Sequence, residues 1–237
     1  MKKCISVLVF SLFLIGAQAQ KVVNDLNAET RTVTPFHAIS IASSFEVLIT
    51  QGNEEGLAVS STEKDDMQYI KTSVDNGVLK IDFDNKKKWW PKGRKLKAYI
   101  SVKNIDMMKI SGASKVKIDG AFKAPVFKLW MSGASKLQGQ LDVDGPMTAN
   151  LSGASDMEIS GSSKEIIIDA NGASDVRAYN FTTGNCTVAA SGASSVRITV
   201  NNELNARLSG ASSVSYKGKA IIKDIRTSGA SKISRES

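Results

Sequence analysis

Apolar and polar residues alternate along most of the chain, and one tetrapeptide breaks the alternation at regular intervals. Before each break, the first, third and fifth residues back are apolar: Met131, Leu129 and Phe127; Leu151, Ala149 and Met147; Ala170, Ile168 and Ile166; Ala190, Val188 and Cys186; Leu208, Ala206 and Leu204. The residues between them are mostly polar, as at Asn150, Thr148, Asp169, Thr187, Arg207 and Asn205. A period of two marks a strand buried on one face. After each break the pattern resumes, with Val116, Leu137, Met157, Val176, Val196, Val214 and Ile233 in equivalent places.

The break is Ser-Gly-Ala-Ser, starting at Ser111, Ser132, Ser152, Ser191, Ser209 and Ser228, and once Asn-Gly-Ala-Ser at Asn171. The seven copies start 21, 20, 19, 20, 18 and 19 residues apart. A period near twenty predicts a solenoid, one supersecondary unit per repeat. Each unit reads as strand, tight Gly-Ala turn, strand and a looser turn, the last at Asp119-Gly120, Asp144-Gly145-Pro146, Ser160-Gly161 and Gly184-Asn185. Coils of such a chain stack about 4.8 Å apart. Glycine recurs at the turn because a side chain there would need a positive φ or would strike the next coil. The fold class expected is all-β, a parallel β-helix or β-solenoid with repeats of about 19–20 residues, regular over 106–237. Residues 36–105 read as degenerate coils of the same domain. Ile41-Ala42-Ser43-Ser44-Phe45-Glu46-Val47 aligns without a gap on Ile110-Ser111-Gly112-Ala113-Ser114-Lys115-Val116.

Residues 1–19 read differently. Lys2 and Lys3 precede an apolar run from Cys4 to Gly16, followed by Ala17-Gln18-Ala19. This is the pattern of a cleaved secretory signal, too short to span a bilayer. Residues 20–35 form a lead-in. Without Lys2 and Lys3, 29 cations face 23 anions, a mature charge of +6, and Cys186 remains the one thiol, so no internal disulfide is expected. The expected location is the periplasm, the cell surface or the medium.

The seven turns, the opening strand Phe45-Glu46-Val47-Leu48-Ile49-Thr50-Gln51-Gly52 and Asn76-Gly77-Val78-Leu79-Lys80-Ile81 together resemble the head GIN domain family, the auto-transporter adhesin heads of exported Bacteroidetes-type proteins. The resemblance runs from about Phe36 to Ile233. It implies a right-handed β-helix similar in shape to pectin lyases, without catalytic residues, and a role in adhesion. No β-barrel translocator pattern follows the last repeat, which leaves the export route open.

Candidate chemistry is sparse. Two outward ladders are expected: Lys115, Lys136, Asp156, Asp175, Ser195, Ser213, Lys232, and Lys117, Gln138, Glu158, Arg177, Arg197, Ser215, Ser234. At one-strand spacing, Asp156 and Asp175 have the separation of a retaining glycosidase pair and the oxygens to hold Ca²⁺. With Lys136 and Arg177 beside them they read better as a solvated ion ladder. His37, the one histidine, has no nucleophile near it in sequence, and Cys186 falls on an inward position. Lys86-Lys87-Lys88-Trp89-Trp90-Pro91-Lys92-Gly93-Arg94-Lys95 is the most unusual stretch. Pro91 and Gly93 make it a loop. Its tryptophans and cations suit an acidic glycan, an anionic surface or a partner protein; equally, its rings can fold back to cap the coil. Trp130 shares the outward register of Asn150, Asp169, Arg207 and Arg226, and is either a contact residue or covered by the turn at 121–125.

The expected function is therefore binding without catalysis, by an exported adhesin that contacts a host or bacterial glycan or surface protein. Its contact residues are Trp89, Trp90 and Trp130, helped by Lys86, Lys87, Lys88, Arg94 and Lys95. Neither a cofactor, a metal nor nucleic acid is implied, and self-association is left open. The alternatives are a polysaccharide-active enzyme of pectin-lyase-like shape and a structural envelope component.

Overall fold

The computed structural model describes residues 25–84 and 93–237. The expected signal sequence, and Lys86, Lys87, Lys88, Trp89 and Trp90, lie outside the described residues. In chain order the strands are β1 (Glu29–Arg31), β2 (Ala38–Ile41), β3 (Phe45–Gln51), β4 (Gly56–Ser61), β5 (Ile70–Asp75), β6 (Val78–Phe83), β7 (Leu96–Val102), β8 (Met107–Ile110) and β9 (Lys115–Ala124). They continue as β10 (Phe127–Met131), β11 (Lys136–Val143), β12 (Pro146–Leu151), β13 (Asp156–Ala170), β14 (Asp175–Ala190), β15 (Ser195–Leu208), β16 (Ser213–Lys217), β17 (Ile221–Thr227) and β18 (Lys232–Arg235). A short 3₁₀ helix covers Lys64–Tyr69.

The strands form two rows joined at the repeated corner. The row before the corner runs β6, β2, β8, β10, β12, the second halves of β13, β14 and β15, and β17, all parallel. The row after it runs β7, β3, β9, β11, the first halves of β13, β14 and β15, then β16 and β18, again parallel. Equivalent positions lie directly one behind the next. Val47, Val116, Leu137, Met157, Val176, Val196, Val214 and Ile233 make one column. Up to the last coil, the inward columns of both rows are buried and form one continuous core, so the chain is a β-solenoid with two rows of strands per coil.

The corner explains its own sequence. Each glycine of the column has φ between +70° and +82°. A Cβ on Gly172 would lie 2.5 Å from the carbonyl oxygen of Gly153, the same oxygen that accepts the N–H of Ala173 at 2.8 Å. The glycine is thus fixed both by its dihedral and by the coil behind it. The fourth residue points inward: Ser155, Ser174, Ser194 and Ser212 are buried, and each hydroxyl donates to the carbonyl three residues earlier at 2.7–2.9 Å. Serine there closes the turn and satisfies its own buried oxygen.

The structure departs from the sequence expectation in two places. Asp119-Gly120, Ser160-Gly161 and Gly184-Asn185 do not interrupt the chain as turns; they lie inside the continuous strands β9, β13 and β14. The backbone keeps its ladder through the bend, at the cost of register shifts between Glu158 and Gly161 and between Ala178 and Thr182. The N-terminal coils also do not stack in chain order. The β2–β3 coil lies between the β6–β7 coil and the β8–β9 coil. The chain turns back twice to arrange this: β4 runs antiparallel to β7 and to β1, and β5 to β6. Asn76-Gly77 has φ of +49° and +73°, the two positive dihedrals of a tight hairpin turn. This end of the core is closed by Met67 of the 3₁₀ helix with Ile70 and Phe83.

Candidate functional site

The outward columns of the second row are longer than the repeats alone suggest. Lys97, Glu46, Lys115, Lys136, Asp156, Asp175, Ser195, Ser213 and Lys232 form one, and Tyr99, Leu48, Lys117, Gln138, Glu158, Arg177, Arg197, Ser215 and Ser234 the other. Beside the second column, on the side away from the first, runs an open groove of about 690 Å³, lined by Lys117, Gln138, Glu158, Arg177, Tyr179 and Arg197. It shares Lys117 and Gln138 with a second hollow of about 340 Å³ at Lys97, Tyr99, Lys115 and Lys136. Tyr179 carries the Lys217 ammonium 5.4 Å from its ring centre. Gly120 lines the groove with open space where a side chain would stand.

The charges within the columns fall into two groups. In the middle they neutralise one another. Arg177 bonds both Asp156 and Asp175, Arg197 reaches Asp175 at 2.9 Å, and Lys136 lies 3.3 Å from Asp156. The Asp156 hydrogen bond holds the Arg177 guanidinium above its ordinary pKa. An arginine inserted between the two carboxylates does not fit a shared-proton or Ca²⁺ arrangement, so the ion-ladder reading describes them. Towards the N-terminal end, Lys115 and Lys117 make no ion pair among the described residues. Lys97 is turned to Asp25, whose carboxylate also accepts Tyr99 Oη at 2.7 Å, Ser60 Oγ at 3.0 Å and the Asn27 N–H at 3.1 Å. The Tyr99 hydroxyl, then the Asn27 amide, Lys97 and Ser60, hold the Asp25 carboxyl well below the usual carboxylate range against the opposing effect of burial.

Of the contact residues singled out in the sequence, three are described, and they form no cluster: Trp130 stands on β10, whereas Arg94 and Lys95 directly precede β7. Trp130 is outward on the first row, 36 % exposed, in a column between Lys109 and Asn150. Lys95 is exposed and tied through its backbone to Thr62. Arg94 requires a correction: it is not a surface cation. Its side chain is 4 % exposed, with Nε 2.6 Å from Asp66, itself 3 % exposed, and its guanidinium lies 5.3 Å from the Phe83 ring. The charge is committed to closing the end of the core. Ile81 pairs with Ile41 and Leu96 with Phe45, so β6 and β7 lie beside β2 and β3 in the neighbouring coil.

His37 is exposed, with Nδ1 3.2 Å from Asp106 and its ring against Gly77. Cys186 is buried, and burial pushes its thiol up to about 12, so it is a core group and not a nucleophile. The groove residues Tyr179, Lys97 and Tyr99 escaped the sequence reading. Tyr179 precedes a strand kink that shifts the register, and the two β7 residues enter their columns only through the out-of-order stacking.

A family model described as "Putative auto-transporter adhesin, head GIN domain" matches residues 35–220. Among solved structures, a "putative adhesin" from Bacteroides fragilis is similar with a TM-score of 0.82 at 18 % identity, over 90 % of this chain and 98 % of that one. A "putative adhesin" from Parabacteroides distasonis is similar at 0.69 and 16 % identity, over 89 % and 96 %, and a "putative lipid binding protein" from the same species at 0.67 and 16 %, over 90 % and 98 %. At such identities the likeness concerns the fold. No curated protein matches the sequence.

Proposed function

The chain belongs to the auto-transporter adhesin head GIN domain family, and from that premise we propose that it is an exported, non-enzymatic binding protein of the cell envelope or surface that holds glycans or proteins on the outside of its solenoid. The observation that carries this reading is the groove of the second row. It is open along its length and crosses several coils. It offers a phenol, amides and paired charges at one-strand spacing, an arrangement suited to an extended polar chain. Lys117 at its N-terminal end and Lys115 in the adjoining hollow, neither ion-paired among the described residues, favour an acidic ligand.

Trp130, and Trp89 and Trp90 with Lys86, Lys87, Lys88 and Lys95, supply further contacts in this proposal; Arg94 does not, being buried against Asp66. Among the described residues no helix is long and apolar enough to cross a membrane. An enzymatic role is disfavoured because Asp156, Asp175 and Glu158, the acidic residues of the outward columns beside the groove, are engaged by arginine or lysine.

The test is binding of the folded protein to immobilised acidic polysaccharides and mucin. Lys115→Glu/Lys117→Glu, Trp130→Ala and Trp89→Ala/Trp90→Ala are each compared with the parent. We expect the lysine pair to lower binding about tenfold, which corresponds to ~1.4 kcal/mol. Absence of binding to every glycan and to whole cells would remove the proposal. Turnover of an acidic polysaccharide, abolished by Asp156→Asn, would replace it with the enzyme reading.

A further inference from the structure

The two ends of the solenoid differ. At the N-terminal end, antiparallel strands and Met67 cover the core. At the other end the last coil, β17 with β18, pairs among the described residues only with the coil behind it. Ile221, Ile222 and Ile225 are 67 %, 41 % and 36 % exposed, although Ile222 and Ile225 stand in register with the buried Leu204 and Ala206. These are core positions that no coil covers among the described residues.

We propose that this open end pairs with the same end of a second copy, across a two-fold axis, through antiparallel β17 strands. Two features of β17 select the partner and the register. The first is the direction of its backbone. The Ser228 N–H donates back to Leu208, so strand alternation turns the N–H and C=O of Ile225 and Thr227 toward the open side. A residue that offers both groups can exchange both with its own copy, as a hydrogen-bonded antiparallel pair requires. The second is charge. Within the regular stretch after the shift between Leu204 and Asn205, Asp224 and Arg226 flank Ile225 on the outward face. Placing Ile225 opposite Ile225 of the copy sets Asp224 against Arg226 on both sides of the axis. Shifting by two residues sets arginine against arginine, so the strand is self-complementary in one register. In the single chain, Asp224 is only loosely held, 3.3 Å from Arg226 and 3.9 Å from Arg207. A head-to-tail stack is not offered the same surface, because the opposite end is closed.

The experiment is sedimentation of the full chain over a concentration series, with charge reversals in β17. We expect the parent to be a dimer. Asp224→Arg alone and Arg226→Asp alone each convert it to a folded monomer, and the double reversal restores the dimer. Ile225→Cys should cross-link two chains under mild oxidation, while Ile221→Cys should not. Circular dichroism checks that each variant is folded, and should the reversals unfold the end coil, the two cysteine variants decide alone. A monomer at all concentrations, a dimer indifferent to Asp224→Arg, or equal cross-linking through both cysteines would overturn the proposal. None of these outcomes depends on whether the groove binds glycans.

Discussion

Glycine in the second position of the corner satisfies two constraints at once, and substitution separates them. Gly120 has φ +82° with nothing within 4 Å of where a Cβ would stand, whereas Gly172 has the same φ with Gly153 O at 2.5 Å. Gly120→Ala should cost only the dihedral share, about 1–2 kcal/mol, or roughly 2–8 °C in Tm at this size. Gly172→Ala must also push neighbouring coils apart, and we expect a clearly larger loss in the same thermal melt; equal losses would mean that the backbone contact does not hold the column. Ser43 holds the equivalent dihedral with a side chain: its φ is +68°, and its hydroxyl donates to Asp82 at 2.6 Å. Arg94 and Asp66 are the second residue-scale case. Removing one partner of a buried pair leaves an uncompensated charge, so Arg94→Met should destabilise by about 3–5 kcal/mol. Arg94→Met/Asp66→Leu should recover most of the loss in urea titration. An Arg94→Met protein as stable as the parent would return this residue to the surface.

At the scale of elements, the N-terminal strands are held differently from the repeats. The repeats are bound by ladders and core columns, while the lead-in to β1 is fastened by one carboxylate, Asp25, against Tyr99, Ser60 and Lys97. A carboxyl held below its ordinary value contributes stability above about pH 4, the unfolded value, and loses it as pH falls toward the folded one. Asp25→Asn should therefore lower Tm at pH 7, and the gap to the parent should narrow as pH drops below about 4. A gap that stays constant from pH 7 to pH 3 would show that the latch is not electrostatic. The strand-level expectations from periodicity agree with the structure wherever a column is buried: Met131, Leu151, Ala170, Ala190 and Leu208 all face the core. Periodicity could not distinguish a kink from a turn at Gly161, because glycine breaks the pattern in either case, and only the ladder to the neighbouring coil shows that the strand continues.

For the whole molecule, the consequence is polarity: a closed end, a grooved flank and an open end whose pairing the β17 variants test. Seven corners at near-constant spacing were enough to specify a solenoid, its inward residues and its outward ladders, since stacking leaves each repeat the same neighbours. That information is local and recurs, so it is legible without coordinates. The placement of β7 beyond β3, the burial of Arg94 against Asp66 and the meeting of Lys97 and Tyr99 with Lys115 and Lys117 depend on chain reversals between residues far apart in sequence. No repeat encodes them. They were decided by which strands compete for the last edge of the stack, an energy that exists only once the coils are assembled.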